Sequence, residues 1–175
     1  PFSWDTENKG KHVIHTGGEY ASFLQVPYIP ARYTAIYCAG CENHCKGCHN
    51  PQSWDENSGK IVPVEELFER IVEADMNVTF TGGDPMLHPE GFTALARMIK
   101  ENTDKTIWCY TGYRFEDLLL NPLRRALLEW CDVLVDGRYI ESERDLSLHF
   151  RGSKNQRIID VQKSLSGNLC LLNVP

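Results

Sequence analysis

No apolar run in this 175-residue chain approaches the roughly 20 residues a membrane-spanning helix needs, and its N-terminus lacks the charged-then-apolar pattern of a leader peptide. No membrane partner is expected, and the chain reads as cytoplasmic. Lysine- and arginine-rich blocks are also missing. The net charge is −6, from 18 basic against 24 acidic residues, so a general nucleic-acid binder is excluded and no nucleic-acid partner is expected. There is no internal repeat beyond a strand-helix alternation, no low-complexity tract and no obvious linker. One domain over residues 1–175 is the expected organisation, with its motif-bearing core at about 32–161.

Cysteine, by contrast, is plentiful. Four of the seven cysteines fall within Cys38–Cys48, where short loops would cramp a disulfide framework, and reduced metal-binding thiols fit better. Cys41, Cys45 and Cys48 are spaced C-x3-C-x2-C, which can hold three corners of a 4Fe-4S cube. The fourth iron then has no protein ligand and can bind and act on a small molecule. Two other readings stay open. With Cys38 included, the four thiols could make a structural zinc site, although its two halves would be only three residues apart. They could also ligate a closed electron-transfer cluster, although the order of spacings differs from the bacterial ferredoxin run. His44 and His49 are possible metal ligands in isolation, but three thiolates already suffice. Cys109, Cys131 and Cys170 are dispersed and read as small buried or incidental residues.

Around this loop the chain alternates strands with helices. Tyr33–Cys38 is β-branched and aromatic and runs straight into the cysteines. Val64, Leu67, Phe68, Ile71 and Val72 carry the i, i+3, i+4, i+7, i+8 stripe of a packed helix. Asn77–Thr81 reads as a second strand that stops at the turn Gly82-Gly83-Asp84-Pro85, and Phe92, Leu95, Ala96 and Ile99 again have helical spacing. Lys105–Tyr110 is the third strand, ending at Thr111-Gly112. A helical stretch from Phe115 to Trp130, interrupted near Asn121-Pro122, leads to a fourth strand at Asp132–Val135, which ends at Asp136-Gly137. Arg151–Gln156 reads as a loop and Arg157–Val161 as a further strand, whereas the first 28 or so residues and the tail from Ser164 have no decisive pattern. Such alternation implies parallel strands joined by crossovers, with ligands bound at the strands' C-terminal ends. Four polar or glycine-rich loops would then share one face.

With His49-Asn50-Pro51-Gln52-Ser53-Trp54, Thr81–Pro85, Trp108–Tyr113, Val133–Gly137 and Arg151–Gln156 following the cysteines in order, the chain resembles the radical S-adenosylmethionine enzymes. Among them it is most similar to the activating proteins of anaerobic ribonucleoside-triphosphate reductase. The resemblance implies an α/β fold, a parallel-stranded partial (β/α) barrel of the radical S-adenosylmethionine type. It makes Cys41, Cys45 and Cys48 the ligands of a 4Fe-4S cluster, with S-adenosyl-L-methionine on the unique iron. Gly47, Cys48 and His49, together with Gly82, Gly83 and Asp84, become cofactor-binding residues, the last three suited to the methionine ammonium. Thr111 and Asp136, from the loops after the third and fourth strands, join that set, although Asp136-Gly137 also reads as an ordinary turn.

The implied chemistry is reductive cleavage of S-adenosylmethionine to a 5′-deoxyadenosyl radical, which generates a glycyl radical on the reductase. The implied partners are that reductase and a one-electron donor such as flavodoxin or ferredoxin. A radical enzyme acting on another glycyl-radical protein or a small molecule is the nearer alternative, and a noncatalytic iron-sulfur carrier or zinc module the more distant one. The chain departs from the family before the first strand, where Tyr28-Ile29-Pro30-Ala31 replaces a glycine-containing segment and only Arg32 corresponds.

Overall fold

The computed structural model describes residues 13–23 and 33–174; the Tyr28–Ala31 segment and Arg32 lie outside the described residues. Seven strands form one mixed sheet. They are β1 (Val13–Phe23), β2 (Tyr33–Cys38), β3 (Lys60–Pro63), β4 (Asn77–Gly82), β5 (Ile107–Tyr110), β6 (Val133–Asp136) and β7 (Arg157–Asp160), in the spatial order β3-β1-β2-β4-β5-β6-β7. The central four, β2-β4-β5-β6, are parallel. The outer pairings, β1 with β2, β1 with β3 and β6 with β7, are antiparallel.

The parallel pairs follow from the connections. Helix α1 (Val64–Ala74) precedes β4, α2 (Pro89–Asn102) joins β4 to β5, and α3 (Phe115–Leu120) with α4 (Pro122–Leu128) joins β5 to β6. A parallel neighbour requires such a crossover. Between β6 and β7 there is only an irregular loop with one short 3-10 turn, and β7 returns antiparallel, correcting the expectation of parallel strands throughout. The expected break between α3 and α4 falls at Asn121, whose side chain accepts from the N–H groups of Leu123 and Arg124 and caps α4. Helix α5 (Val161–Ser166) follows β7 directly, where a continuing strand was expected at Val161.

The pleat divides the sheet into two unlike faces. Ile36, Cys38, Val78, Phe80, Ile107, Cys109 and Leu134 point into a core with Leu67 and Ile71 of α1, Phe92, Leu95 and Ile99 of α2, and Leu118, Leu127 and Leu128 of α3 and α4. Phe80 and Phe92 meet edge to face at 4.8 Å, a pairing worth about 0.5–1.5 kcal/mol beyond area burial. The opposite face, carrying Tyr33, Tyr37, Thr79, Thr81, Trp108 and Tyr110, lines a cavity instead. A period of two thus gives each strand one core side and one site side. Among the described residues no helix is long and apolar enough to cross a membrane.

Candidate functional site

The cavity, about 500 Å³, runs along the uncovered sheet face to the C-terminal ends of the parallel strands. Cys41, Cys45 and Cys48 all line it, with Gly82, Gly83, Asp84 and Thr111 beside them. Cys38 does not. As the last residue of β2 it is buried in the core, where burial and then the Asp84 charge push its thiol well up. Cys109 and Cys131 are buried as well, and Cys170 is half-buried; all seven cysteines are free.

The cysteine loop is held at both ends by backbone bonds. Gly40 and Cys41 donate to Ser53 O at 2.8 Å and Trp54 O at 3.1 Å, and Cys48 N closes a turn on Cys45 O. The β4 end packs directly onto this loop: Gly83 N donates to Cys38 O and Asp84 N to Gly40 O, both at 2.8 Å. Such proximity requires glycine. Gly82 has φ +101°, and a β-carbon there would lie 2.5 Å from Cys38 N; one on Gly83 would overlap Gly40 O.

Asp84 is the hub of the site. Its buried carboxylate accepts from Met86 N (3.0 Å) and the Thr111 hydroxyl (2.8 Å) on one oxygen, and from Gly112 N (2.9 Å) and Asn43 Nδ2 (3.0 Å) on the other. Two acceptor positions on each oxygen are thereby used. Burial raises this carboxyl above its ordinary value, a rise that the bonds from Gly112, Thr111 and Met86 only partly offset. The two main-chain N–H groups can only donate and Asn43 presents its NH2 end, so the cage has a place for each lone pair of an ionised carboxylate. Asp84, which also lines the cavity, therefore ties the loop after β5 and the cysteine loop to its own turn.

The other expected residues separate into two groups. His49 and Thr111 line the cavity; the His49 ring lies 5.8 Å from that of Tyr139, and Thr111 faces Asp84. Gly47 and Asp136 do not line it. Gly47, at φ +78°, is packed against Glu141 and Tyr139. Asp136 is fully buried and accepts from Phe115 N at 2.8 Å and from both Nε and Nη2 of Arg157, so it fastens β6 to β7 and to the start of α3. Arg157 extends the network to Glu116, whose carboxyl its hydrogen bonds hold down at about 2.

Several residues of the site went unnoticed in the sequence. Asn43, between the first two cysteines, reaches both Asp84 and Cys41. Tyr33, Trp108 and Phe150 form an aromatic group farther along the cavity, with centroids 6.1 and 5.2 Å apart. Tyr110 lies on the same face; burial, with Tyr33 and Tyr37 nearby, pushes its hydroxyl up and keeps it protonated. The alternation of the strands could have pointed to these aromatics once the cysteine end was known to open on that face.

The donor set fits a 4Fe-4S cluster. Three thiols face one roomy cavity, and N–H groups point at two of the sulfurs, Asn50 N at Cys48 Sγ (3.4 Å) and Asn43 Nδ2 at Cys41 Sγ (3.8 Å). Among the described residues no three His, Cys, Asp or Glu converge as a single-ion site requires. A cube takes each thiolate on a different iron, so its ligands need not converge.

A family model described as a 4Fe-4S single cluster domain matches residues 31–159. Curated relatives agree with it. The anaerobic ribonucleoside-triphosphate reductase-activating protein of Pasteurella multocida is 36% identical over 135 residues, 70% of this chain and 84% of the relative. The protein of that name from Vibrio cholerae is 36% identical over 141 residues, 74% and 88% of the two chains. The one from Enterobacteria phage T4 is 31% identical over 137 residues, 74% and 84%.

Proposed function

The chain belongs to the family of anaerobic ribonucleoside-triphosphate reductase-activating proteins, and from that premise we propose how its cavity carries out the activation. It is an activating enzyme whose cofactors are a 4Fe-4S cluster and S-adenosylmethionine. The observation that carries the reading is the opening of Cys41, Cys45 and Cys48 onto one cavity beside the Gly82-Gly83-Asp84 turn.

In this reading the three cysteines would hold the cluster, and Cys48, His49, the main chain of Gly82 and Gly83, and Thr111, which line the same cavity, would bind S-adenosylmethionine. Asp84 acts through the loops it joins. Gly47 shapes the turn of the last ligand from outside the cavity, and Asp136 holds the end of β6. A 4Fe-4S cluster held by these cysteines would supply the one electron needed for reductive cleavage of S-adenosylmethionine, the chemistry by which a hydrogen atom would be taken from a glycine of the reductase. The chain's own residues orient the reactants and keep water and stray hydrogen donors away. Tyr33, Trp108 and Phe150 supply an apolar wall for that purpose.

Four parallel strands, helices on one face and a cavity on the other are what a partial (β/α) barrel of the radical S-adenosylmethionine type needs, and we read the sheet so, as a single domain. A flavodoxin- or ferredoxin-class protein is the proposed electron donor. Seven free thiols suit a reducing compartment, the cytoplasm. The test is anaerobic reconstitution with iron and sulfide, followed by reduction with S-adenosylmethionine and the reductase. A glycyl radical in the electron spin resonance spectrum is expected. Release of 5′-deoxyadenosine without a reductase radical would instead favour a different acceptor.

A further inference from the structure

Asn43 lies between two cluster cysteines, yet its side chain is turned toward the loops that bind the cofactor. One hydrogen of its amide goes to Asp84 Oδ2 at 3.0 Å and the other toward Cys41 Sγ at 3.8 Å. The orientation of the amide is set by chemistry, since the opposite one would place its oxygen against the Asp84 carboxylate. Gly112 makes the contact possible: a β-carbon on it would overlap the Asn43 amide. The main-chain oxygen of Asn43 accepts from Arg138, so the residue is held from both sides.

We propose that Asn43 is a positioning residue that couples the Asp84 hub to the first cluster ligand and, through its N–H contact with Cys41 Sγ, raises the reduction potential of the cluster. Hydrogen bonds to ligand sulfurs stabilise the more negative, reduced cluster, and residues beyond the ligands set much of the potential. The bridge also links the two loops that must stay in register for the electron to reach the bound cofactor. Asn43 touches no reacting atom and acts only through Cys41 and Asp84.

The inference rests on the reading that Cys41 is a cluster ligand, and the experiment separates the two. The full-length chain and its Asn43→Leu, Asn43→Asp and Gly112→Ala variants are reconstituted anaerobically, assayed for iron, and titrated for midpoint potential without S-adenosylmethionine. The unsubstituted chain binding no 4Fe-4S cluster would sink the underlying reading. Given a cluster, Asn43→Leu should move the potential negative and Asn43→Asp farther, because it loses the donor and adds a charge. Gly112→Ala should move it in the same direction as Asn43→Leu by displacing an intact Asn43. Any folded variant that loses iron is read from the remaining two. Unchanged potentials in the variants that keep their cluster would overturn the proposal, and so would loss of the cluster from all three folded variants, which would make Asn43 a requirement for cluster assembly and not a tuner of its potential.

Discussion

Replacing Asp84 separates its two possible roles, because a ligand to the cofactor and a brace between loops predict opposite behaviour in the apo chain. Asp84→Ala removes the acceptor of four hydrogen bonds. The Gly112 N–H and the Asn43 amide border the cavity, where water can replace the carboxylate. Met86 N and the Thr111 hydroxyl are buried, and each buried donor left without a partner costs about 1–3 kcal/mol, giving roughly 2–6 kcal/mol in total. Asp84→Asn is gentler. In its better orientation only Met86 N–H faces an amide donor, so the cost is about 1–3 kcal/mol, partly offset because no charge is buried any longer. For a chain of this length that corresponds to roughly 2–12 °C in melting temperature. Urea unfolding of the reduced, iron-free chain measures it. If Asp84→Ala changed the apo stability by less than about 0.5 kcal/mol while S-adenosylmethionine affinity collapsed, the brace argument would be wrong and the carboxylate would be a ligand.

Three further outcomes follow from the geometry. Arg157→Leu leaves Asp136 buried with its main partner gone and should destabilise the chain by about 3–5 kcal/mol in the same unfolding assay; a loss below 1 kcal/mol would show that the pair is not fixed as drawn. Cys38→Ala should retain a full complement of four irons after reconstitution, whereas Cys41→Ala should not; equal loss in both would restore a four-thiolate site. Glu116, held down at about 2 by Arg157, contributes stability that is fully present above its unfolded value of 4.5 and is lost as pH falls toward 2. Its side chain is 56% exposed, so the contribution is less than about 1 kcal/mol, and Glu116→Gln should flatten the acid limb of the stability-pH curve only within that window.

What could be read from the sequence was whatever is local. The cysteine spacing, the turn after β4 and the stripe of α1 each lie within a few residues, and the buried positions Val64, Leu67 and Ile71 of α1 fall on the expected stripe, with Val72 at its exposed edge. Strand β1 escaped because Gly17-Gly18 interrupts its alternation, where the pairing with β2 also shifts register between Thr16 and Ala21. Strand β3 escaped because four residues ending in proline carry too little pattern. The hydrogen-bond partners of the site were hidden for a different reason. A carboxylate after two glycines suits an ammonium ligand, and nothing near Asp84 in sequence indicates that Asn43, 41 residues earlier, and Thr111, 27 residues later, already fill it. Asp136 is likewise claimed by Arg157, 21 residues on. A motif identifies which residue types can meet a ligand; only the topology says which acceptors the protein has used for itself. Here the parallel order β2-β4-β5 brings the three loop ends together, so the carboxylate after the two glycines at the end of β4 meets donors from all three of them, and Asp84→Ala decides whether that bracing is its whole role.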